Sequence, residues 1–362
     1  MQRKTMLRLL AVFILAISFV GNASNVETSS DKSEGDTTDK SAERKEYIQH
    51  HLKDTHDFGI TSYTNDAGEK VYIGFPLPVI LWDGGLQVFS SSKFKHETAV
   101  AESGGNHYVI YHGMIYKTDA QGTINYDDHH HPTNVRPLDL SITKSVVMIL
   151  VTGLLMLLLF RSLGRSYGKN GGVATGAGRF FEPIILYIRD DIAIPNIGKK
   201  HYKKYMSFLL TVFFFVWFLN IFGLTPLGVN VTGNIAITAS LAILTFVITT
   251  FTAKKTYWKH IFWMPGVPVP MKIILAPIEL LGMFIKPFSL LIRLYANMQA
   301  GHIVLMSLLA LMYLFNSIIG SSLSFFLSFA ISLIEVLVAL LQAYIFTMLS
   351  ALYFGFAVEE EH

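Results

Sequence analysis

The chain has 362 residues, of which 51% are apolar and 13% aromatic, while only 15% are charged and the formal net charge is +3. So apolar a composition over this length excludes an ordinary soluble protein and indicates a chain that crosses a membrane several times. The absence of cysteine excludes disulfides, thiolate metal sites and a cysteine nucleophile.

The first 46 residues have the features of a targeting segment followed by a polar leader. Residues 1–24 combine a basic start with an apolar run and small residues near their end, which is the pattern of a signal peptide. The apolar run is shorter than the roughly 20 residues of a spanning helix, and an uncleaved anchor is the alternative. Residues 25–46 contain almost no apolar side chain, so they predict a disordered leader.

The next segment, residues 47–140, has a different pattern. Short runs of alternating apolar and polar residues are broken by Gly, Asp and Asn, which indicates strands and turns. We expect strands within residues 70–73, 78–82 and 107–117. With so few apolar residues this is a small, irregular or β-structured extracytoplasmic segment that depends on the membrane part for support.

Histidines and aspartates are concentrated at two places in this segment. They are His50, His51, His56, Asp127, Asp128, His129, His130 and His131. Imidazole and carboxylate groups bind transition metals, so a metal-binding sensor with a membrane anchor is one hypothesis. The other is a solvated polar loop, which we favour because no helical pairing or cysteine supports a metal site. We therefore expect no metal there.

Five apolar runs in residues 141–362 are long enough to cross a bilayer and predict an all-α polytopic membrane domain. These runs are residues 142–160, 206–224, 235–252, 271–316 and 320–356. The fourth would be about 70 Å long as one helix, more than twice the ~30 Å of the hydrocarbon layer. We therefore expect the last two helices to be long and tilted.

Basic residues set the orientation that we expect. Lysines and arginines are frequent between the first and second runs and again between the third and fourth. The positive-inside rule places both connections in the cytoplasm, the N-terminus outside and the C-terminus inside. Within the first connection, residues 180–194 mix apolar and charged side chains and predict a helix on the membrane surface. We expect the chain to lie in a bacterial plasma (inner) membrane.

Arg293 lies in the middle of the fourth apolar run. A guanidinium stays charged at any ordinary pH, and a charge at membrane depth is costly unless it faces a protein interior or a water-filled cavity. Ser289 and Asn297 lie one turn to either side, and Glu279 lies fourteen residues earlier on nearly the same helical face. A functional charge is therefore the first hypothesis, and a structural salt bridge with Glu279 or Glu335 is the alternative.

The sequence around this arginine is distinctive. Residues 287–302 read PFSLLIRLYANMQAGH, and residues 341–346 in the last helix read LQAYIF. Both stretches closely resemble subunit a of the F-type ATP synthases, in which an essential arginine is followed by Asn and then by Ala-Gly. The matching residues here are Arg293, Asn297, Ala300 and Gly301. The resemblance extends over roughly residues 138–362.

The resemblance implies a role for each polar residue in the last two helices. Arg293 would be the barrier between two proton half-channels and the partner of the rotor-ring carboxylates. His302 and Glu335 would be a pair of proton-relay groups, and Glu279 a carboxylate of the cytoplasmic half-channel. Polar support would come from Asn297, Gln342 and Ser289. Nine residues separate Arg293 from His302, so the two side chains should face different neighbours.

The resemblance also implies partners and excludes others. The partners would be a rotor ring of helical hairpins, a peripheral stalk, the rest of the ATP synthase complex, membrane lipid and protons, but no nucleic acid. The chain would carry ions without a bound cofactor and without being an enzyme, because ATP chemistry would occur on other subunits. The alternative function is a self-contained secondary transporter in which Arg293 binds an anionic substrate.

Overall fold

The computed structural model describes most of the chain after residue 53. The described residues are 54–64, 70–95, 97–129, 131–169, 176, 178–225, 229–263, 268–314 and 318–359. The expected signal peptide and leader lie outside this range.

In the part of the chain that the structure describes, nine helical segments follow the β-structured part. They are α1 (Lys144–Lys169), α2 (Gly178–Tyr187), a π-helical turn (Ile188–Ala193), α3 (Ile194–Ile197), α4 (Tyr202–Gly223), α5 (Ile235–Thr252), α6 (Lys255–Phe262), α7 (Val269–Leu314) and α8 (Ile318–Val358). Within the described residues, α1, α4, α5, α7 and α8 are long and apolar enough to cross a membrane. The predicted all-α polytopic fold with a small β-containing N-terminal part is confirmed.

The boundaries of the spanning helices differ from the apolar runs in one informative place. Helix α1 continues past residue 160 to Lys169, although Arg161 and Arg165 follow the apolar run. Long basic side chains favour helix and reach toward the headgroups, so they end the hydrophobic run without ending the helix. Helix α7 continues through Pro277 and Pro287 for 46 residues, which confirms its predicted length.

Two short helical regions of the described residues pack on the spanning helices. The helix predicted at residues 180–194 is present as α2, the π-helical turn and α3 in succession, and its location on the membrane surface stays a prediction. Ile188 and Ile192 are fully buried there, in the same core as residues of α4 and α8, so this region packs on the helical bundle. Helix α6 was not predicted, and it buries Tyr257 and Ile261 beside Met283 of α7.

Among the described residues before α1, eight short strands form three small antiparallel sheets. The strands are β1 (Asp57–Thr64), β2 (Lys70–Pro76), β3 (Pro78–Trp82), β4 (Leu86–Ser90), β5 (Ala101–Ser103), β6 (Asn106–Tyr111), β7 (Met114–Thr118) and β8 (Leu138–Asp139). Strands β1 and β2 form a hairpin, and the other two sheets have the orders β4-β3-β8 and β5-β6-β7. These last two sheets share an apolar core that includes Leu81, Phe94 and Tyr108.

The predicted strand at residues 107–117 is a hairpin of β6 and β7. His112 and Gly113 both have positive φ, 51° and 77°, as a two-residue type I′ turn requires. His112 is an uncommon residue for this conformation, so the sequence does not show the turn plainly.

The β-structured part is attached directly to the first spanning helix. The Asp54 carboxylate accepts hydrogen bonds from the Thr143 hydroxyl and the Ser145 amide, at 2.8 and 3.1 Å, and so caps the N-terminus of α1. Phe58 and Leu77 share a buried apolar cluster with Met148 of α1 and with residues of the α4–α5 loop. These contacts are the physical basis of the predicted support of the β-structured part by the membrane part.

Replacing Asp83 with alanine is expected to destabilise the β-structured part. The Asp83 carboxylate accepts hydrogen bonds from Tyr108 at 3.0 Å and Lys117 at 2.9 Å, and it joins the end of β3 to β6 and β7. Tyr108 is fully buried, so losing its partner costs about 1–3 kcal/mol. Hydrogen exchange of residues 101–118 should rise in the variant, whereas Asp127→Ala, in an exposed loop, should leave it unchanged.

The same carboxylate makes this part sensitive to acid. The hydrogen bond from Lys117, against the opposing effect of burial, lowers the pKa of Asp83 below its ordinary value of 3.8. A lowered carboxyl pKa contributes stability above the ordinary value and loses it as the pH falls through the lowered value. Faster exchange should appear only below about pH 4, and an Asp83→Asn variant should lack this component.

Candidate functional site

Helices α7 and α8 pack against each other with polar and small side chains between them. On α8 the buried face carries Ser324, Ser328, Glu335, Ala339 and Gln342, spaced three, four or seven residues apart. Small and polar residues are typical of interfaces between spanning helices because they permit close approach. The two residues expected on α8, Glu335 and Gln342, thus lie at the interface with the rest of the bundle.

Arg293 is half-buried in α7, and no ion pair joins it to Glu279 or Glu335, both of which are described. The proposed structural salt bridge is therefore absent among the described residues. Asn297, one turn further along, donates a hydrogen bond to the Gln342 side chain at 2.8 Å. This bond joins α7 to α8 next to the arginine, and Ser289 is exposed on the other side of it.

Glu335 and His302 are both buried, with 9% and 5% of their surfaces exposed. The Glu335 carboxyl group lies against Gly301, where a Cβ atom would overlap it. The His302 ring packs on Gly223 of α4, whose Cβ position lies 3.1 Å from Nε2. Gly301 therefore leaves room for the Glu335 carboxyl group, and Gly223 leaves room for the His302 ring. Glu335 thus contacts the residue of α7 that directly precedes His302.

Arg293 and His302 are separated by nine residues, about 13 Å along the helix axis. Arg293 is at the edge of an uncovered apolar face of α7 that includes Phe288, Ile292 and Ile303. His302 instead points to α4. The two side chains face different neighbours, as their spacing indicates.

Glu279 lies near the start of α7, fourteen residues before Arg293, and is half-buried. Its carboxylate acts electrostatically on Tyr257 of α6, a helix that lies outside the five spans. Burial raises the pKa of the Tyr257 hydroxyl, and the Glu279 carboxylate raises it further. Glu279 is thus far from the His302 and Glu335 cluster, at the opposite end of the helix.

A polar group near His302 was missed by the sequence analysis. The Thr232 hydroxyl donates to the buried Asn220 side chain at 2.7 Å, and the Asn230 amide donates to Gln299 at 3.3 Å. These contacts connect α4, the α4–α5 loop and α7. Asn220, a polar residue inside an apolar run, was the available signal in the sequence.

The histidine-rich stretches behave as structural elements where they are described. His56 Nε2 contacts the Asp139 carboxylate at 2.9 Å, and the Asp127 carboxylate accepts hydrogen bonds from the amides of His129 and His131. The described residues contain no group of three potential ligands arranged to hold a metal ion. His50, His51 and His130 lie outside the described residues.

A Gly301→Ala substitution tests the close fit at Glu335. The added methyl group would displace the carboxyl group, so we expect a large loss of any proton transfer that uses Glu335, without loss of the helix. Gly282→Ala, also in α7, is the matched control because its added Cβ would meet no atom within 4 Å. Equal rates of proton transport in membranes carrying either variant would show that the position of Glu335 is unimportant.

Comparison with known proteins relates the helical part to one family. Residues 146–355 match the family described as ATP synthase A chain. A protein of Chlorobaculum tepidum named ATP synthase subunit a 2 is 43% identical over 231 residues, 62% of this chain and 65% of that protein. ATP synthase subunit a of Myxococcus xanthus is 44% identical over 62% of this chain and 75% of that protein.

One relative extends the similarity into the β-structured part. ATP synthase subunit a 2 of Chlorobium luteolum is 38% identical over 289 residues, 77% of this chain and 82% of that protein. Residues 47–140 also match a family described as a domain of unknown function, DUF8433.

Proposed function

The chain belongs to the ATP synthase A chain family of non-catalytic, membrane-embedded subunits, and from this premise we propose that it conducts protons to and from the carboxylates of a rotor ring. Two half-channels would reach the ring from opposite sides of the membrane. Arg293 would separate them. ATP synthesis or hydrolysis would take place on other subunits of the complex.

The observation that carries the proposal is the position of Arg293. It is half-buried in a spanning helix, without an ion pair to Glu279 or Glu335 among the described residues, at the edge of an apolar face that no described element covers. A permanent cation at this position can attract an anionic group on a partner outside the chain. An ionised carboxylate on a ring helix is such a partner, because Arg293 would stabilise its charge and favour release of its proton.

The outer half-channel would use His302 and Glu335. An imidazole and a carboxyl group can each accept and release a proton. The amide and hydroxyl groups of Asn220, Asn230, Thr232 and Gln299 extend this polar region to the α4–α5 loop. One oxygen of Glu335 is buried without a hydrogen-bond partner in the described residues, so it is available to water or a proton.

The inner half-channel would begin near Glu279. This carboxylate and Tyr257 lie toward the end of α7 that follows the basic residues Lys254, Lys255 and Lys259. The positive-inside rule supports a cytoplasmic location for that end. His302 would then lie closer to the outside than Arg293, with the N-terminus outside and the C-terminus inside. The Asn297–Gln342 hydrogen bond would hold α7 and α8 together beside Arg293.

The test of this function compares the complex with the chain alone. Liposomes that contain the complete complex should acidify their lumen when ATP is added, whereas liposomes containing only this chain should transport neither protons nor a small anion. Acidification that persists in a complex lacking this chain would contradict the proposal. Uptake of an anion by the chain alone, lost with Arg293→Ala, would instead identify a secondary transporter.

A further inference from the structure

One face of the β4-β3-β8 sheet is apolar, and no described element covers it. Cross-strand pairing places Trp82 beside Leu86 and Leu138, and Ile80 beside Val88. Leu140 continues β8, because its amide donates to the Ile80 carbonyl at 2.9 Å. We call these six residues the apolar sheet face. All except Ile80 have between 57% and 61% of their surface exposed.

The opposite face of the same sheet is the covered one. Val79, Leu81 and Phe89 alternate with the exposed residues and are buried in the core of the β-structured part. Asp139, between Leu138 and Leu140, pairs with Leu81, and its carboxylate bonds to His56. The Asp139 carboxylate therefore does not lie on the apolar sheet face. Such a contiguous exposed apolar surface marks an interaction site.

The apolar sheet face leads directly into the first spanning helix. The Ile142 amide donates to the Pro78 carbonyl at 3.2 Å, so the chain stays paired with β3 until two residues before α1 begins at Lys144. Leu138 is therefore at most about 20 Å from the start of the helix, at ~3.3 Å per extended residue. Val146, Leu150 and Leu154 are exposed at i, i+4 and i+8 on one side of α1, where lipid is the expected neighbour.

We propose that the apolar sheet face lies on the bilayer and contacts lipid at the boundary between headgroups and acyl chains. Its continuity with the lipid-facing side of α1 favours lipid over a soluble partner. Its composition agrees, because tryptophan at the end of an aliphatic surface is typical of the membrane interface. The β-structured part would thus be fixed to the membrane by this face as well as by its contacts with α1 and the α4–α5 loop.

Site-directed spin labelling tests the proposal in the complete complex. The chain contains no cysteine, so Leu86→Cys and Leu138→Cys each provide one labelling site on the apolar sheet face. Gln121→Cys, exposed in the turn after β7, is the control. In lipid vesicles, collisions with oxygen relative to those with a water-soluble nickel chelate should be several-fold higher at residues 86 and 138 than at residue 121. Retained ATP-driven pumping would verify assembly.

Two results would overturn the proposal. If all three labels collide freely with the nickel chelate, the face is in water. If the labels at 86 and 138 are shielded from both oxygen and the chelate while that at 121 is not, a protein covers the face instead of lipid. Both results are independent of the proton path, so they leave the proposed function unaffected.

Discussion

ATP-driven proton pumping is expected to fall to the background of vesicles without the complex when Arg293 is replaced by alanine. The guanidinium is the fixed charge that would attract each ring carboxylate in turn and make it release its proton. Losing one pre-placed charge or hydrogen-bond donor at a reacting centre typically lowers a rate by about 100-fold to 1,000-fold. The measurement is lumen acidification in inverted vesicles, with assembly checked by purification of the complex.

Lys272→Ala provides the matched control, since it removes another cation from the same helix. Lys272 stacks on the Trp263 ring at 4.7 Å and is 21 residues before Arg293. Pumping should persist in this variant. Arg293→Lys should remain strongly impaired, because lysine loses its charge more readily when buried and lacks the forked donor group. If Arg293→Ala and Lys272→Ala pump equally well, Arg293 has no role in transport.

A Glu335→Gln substitution is expected to reduce pumping on the order of 100-fold, the effect typical of losing a proton-transfer group. Glutamine has nearly the same shape and can fill the space over Gly301, but it cannot exchange a proton. No other carboxylate of α8 can take over this role, because Glu335 is the one carboxylate in the described helix up to its last residue, Val358.

The control is the same substitution in α2, Glu182→Gln. A complex with this variant should pump at the normal rate. His302→Ala, measured in parallel, should also impair pumping if the two groups form one relay. Normal acidification by the Glu335→Gln complex would remove Glu335 from the proton path and leave it a structural residue.

Much of the helical architecture could be predicted because apolar runs and helix length are local properties. Helix α5 has the predicted bounds, residues 235–252, and α7 and α8 begin and end within two residues of the predicted positions. Helix α6 was not predicted because it has only eight residues. Two lysines and a histidine stand among its aromatic and apolar side chains, so the segment shows no clear apolar periodicity. Its helical state depends on packing against α7.

The candidate site, too, could be predicted only where it depends on local sequence. Arg293 stands out because a charge in an apolar run is costly wherever the helix packs. The link between Asn220 and Thr232, and the room that Gly223 and Gly301 leave for two ionisable groups, depend on contacts between helices. Spacing along one helix contains no information about such contacts, so only the structure could reveal them.

The barrier role of Arg293 is tested most directly by passive proton flow through the complex with its ring held still. The rotor is cross-linked to the stator, a proton gradient is imposed across the vesicle membrane, and no ATP is added. The unmodified complex should conduct no protons, whereas Arg293→Ala should leak, because nothing then separates the two half-channels at the ring. A locked complex that remains tight without Arg293 would contradict the account.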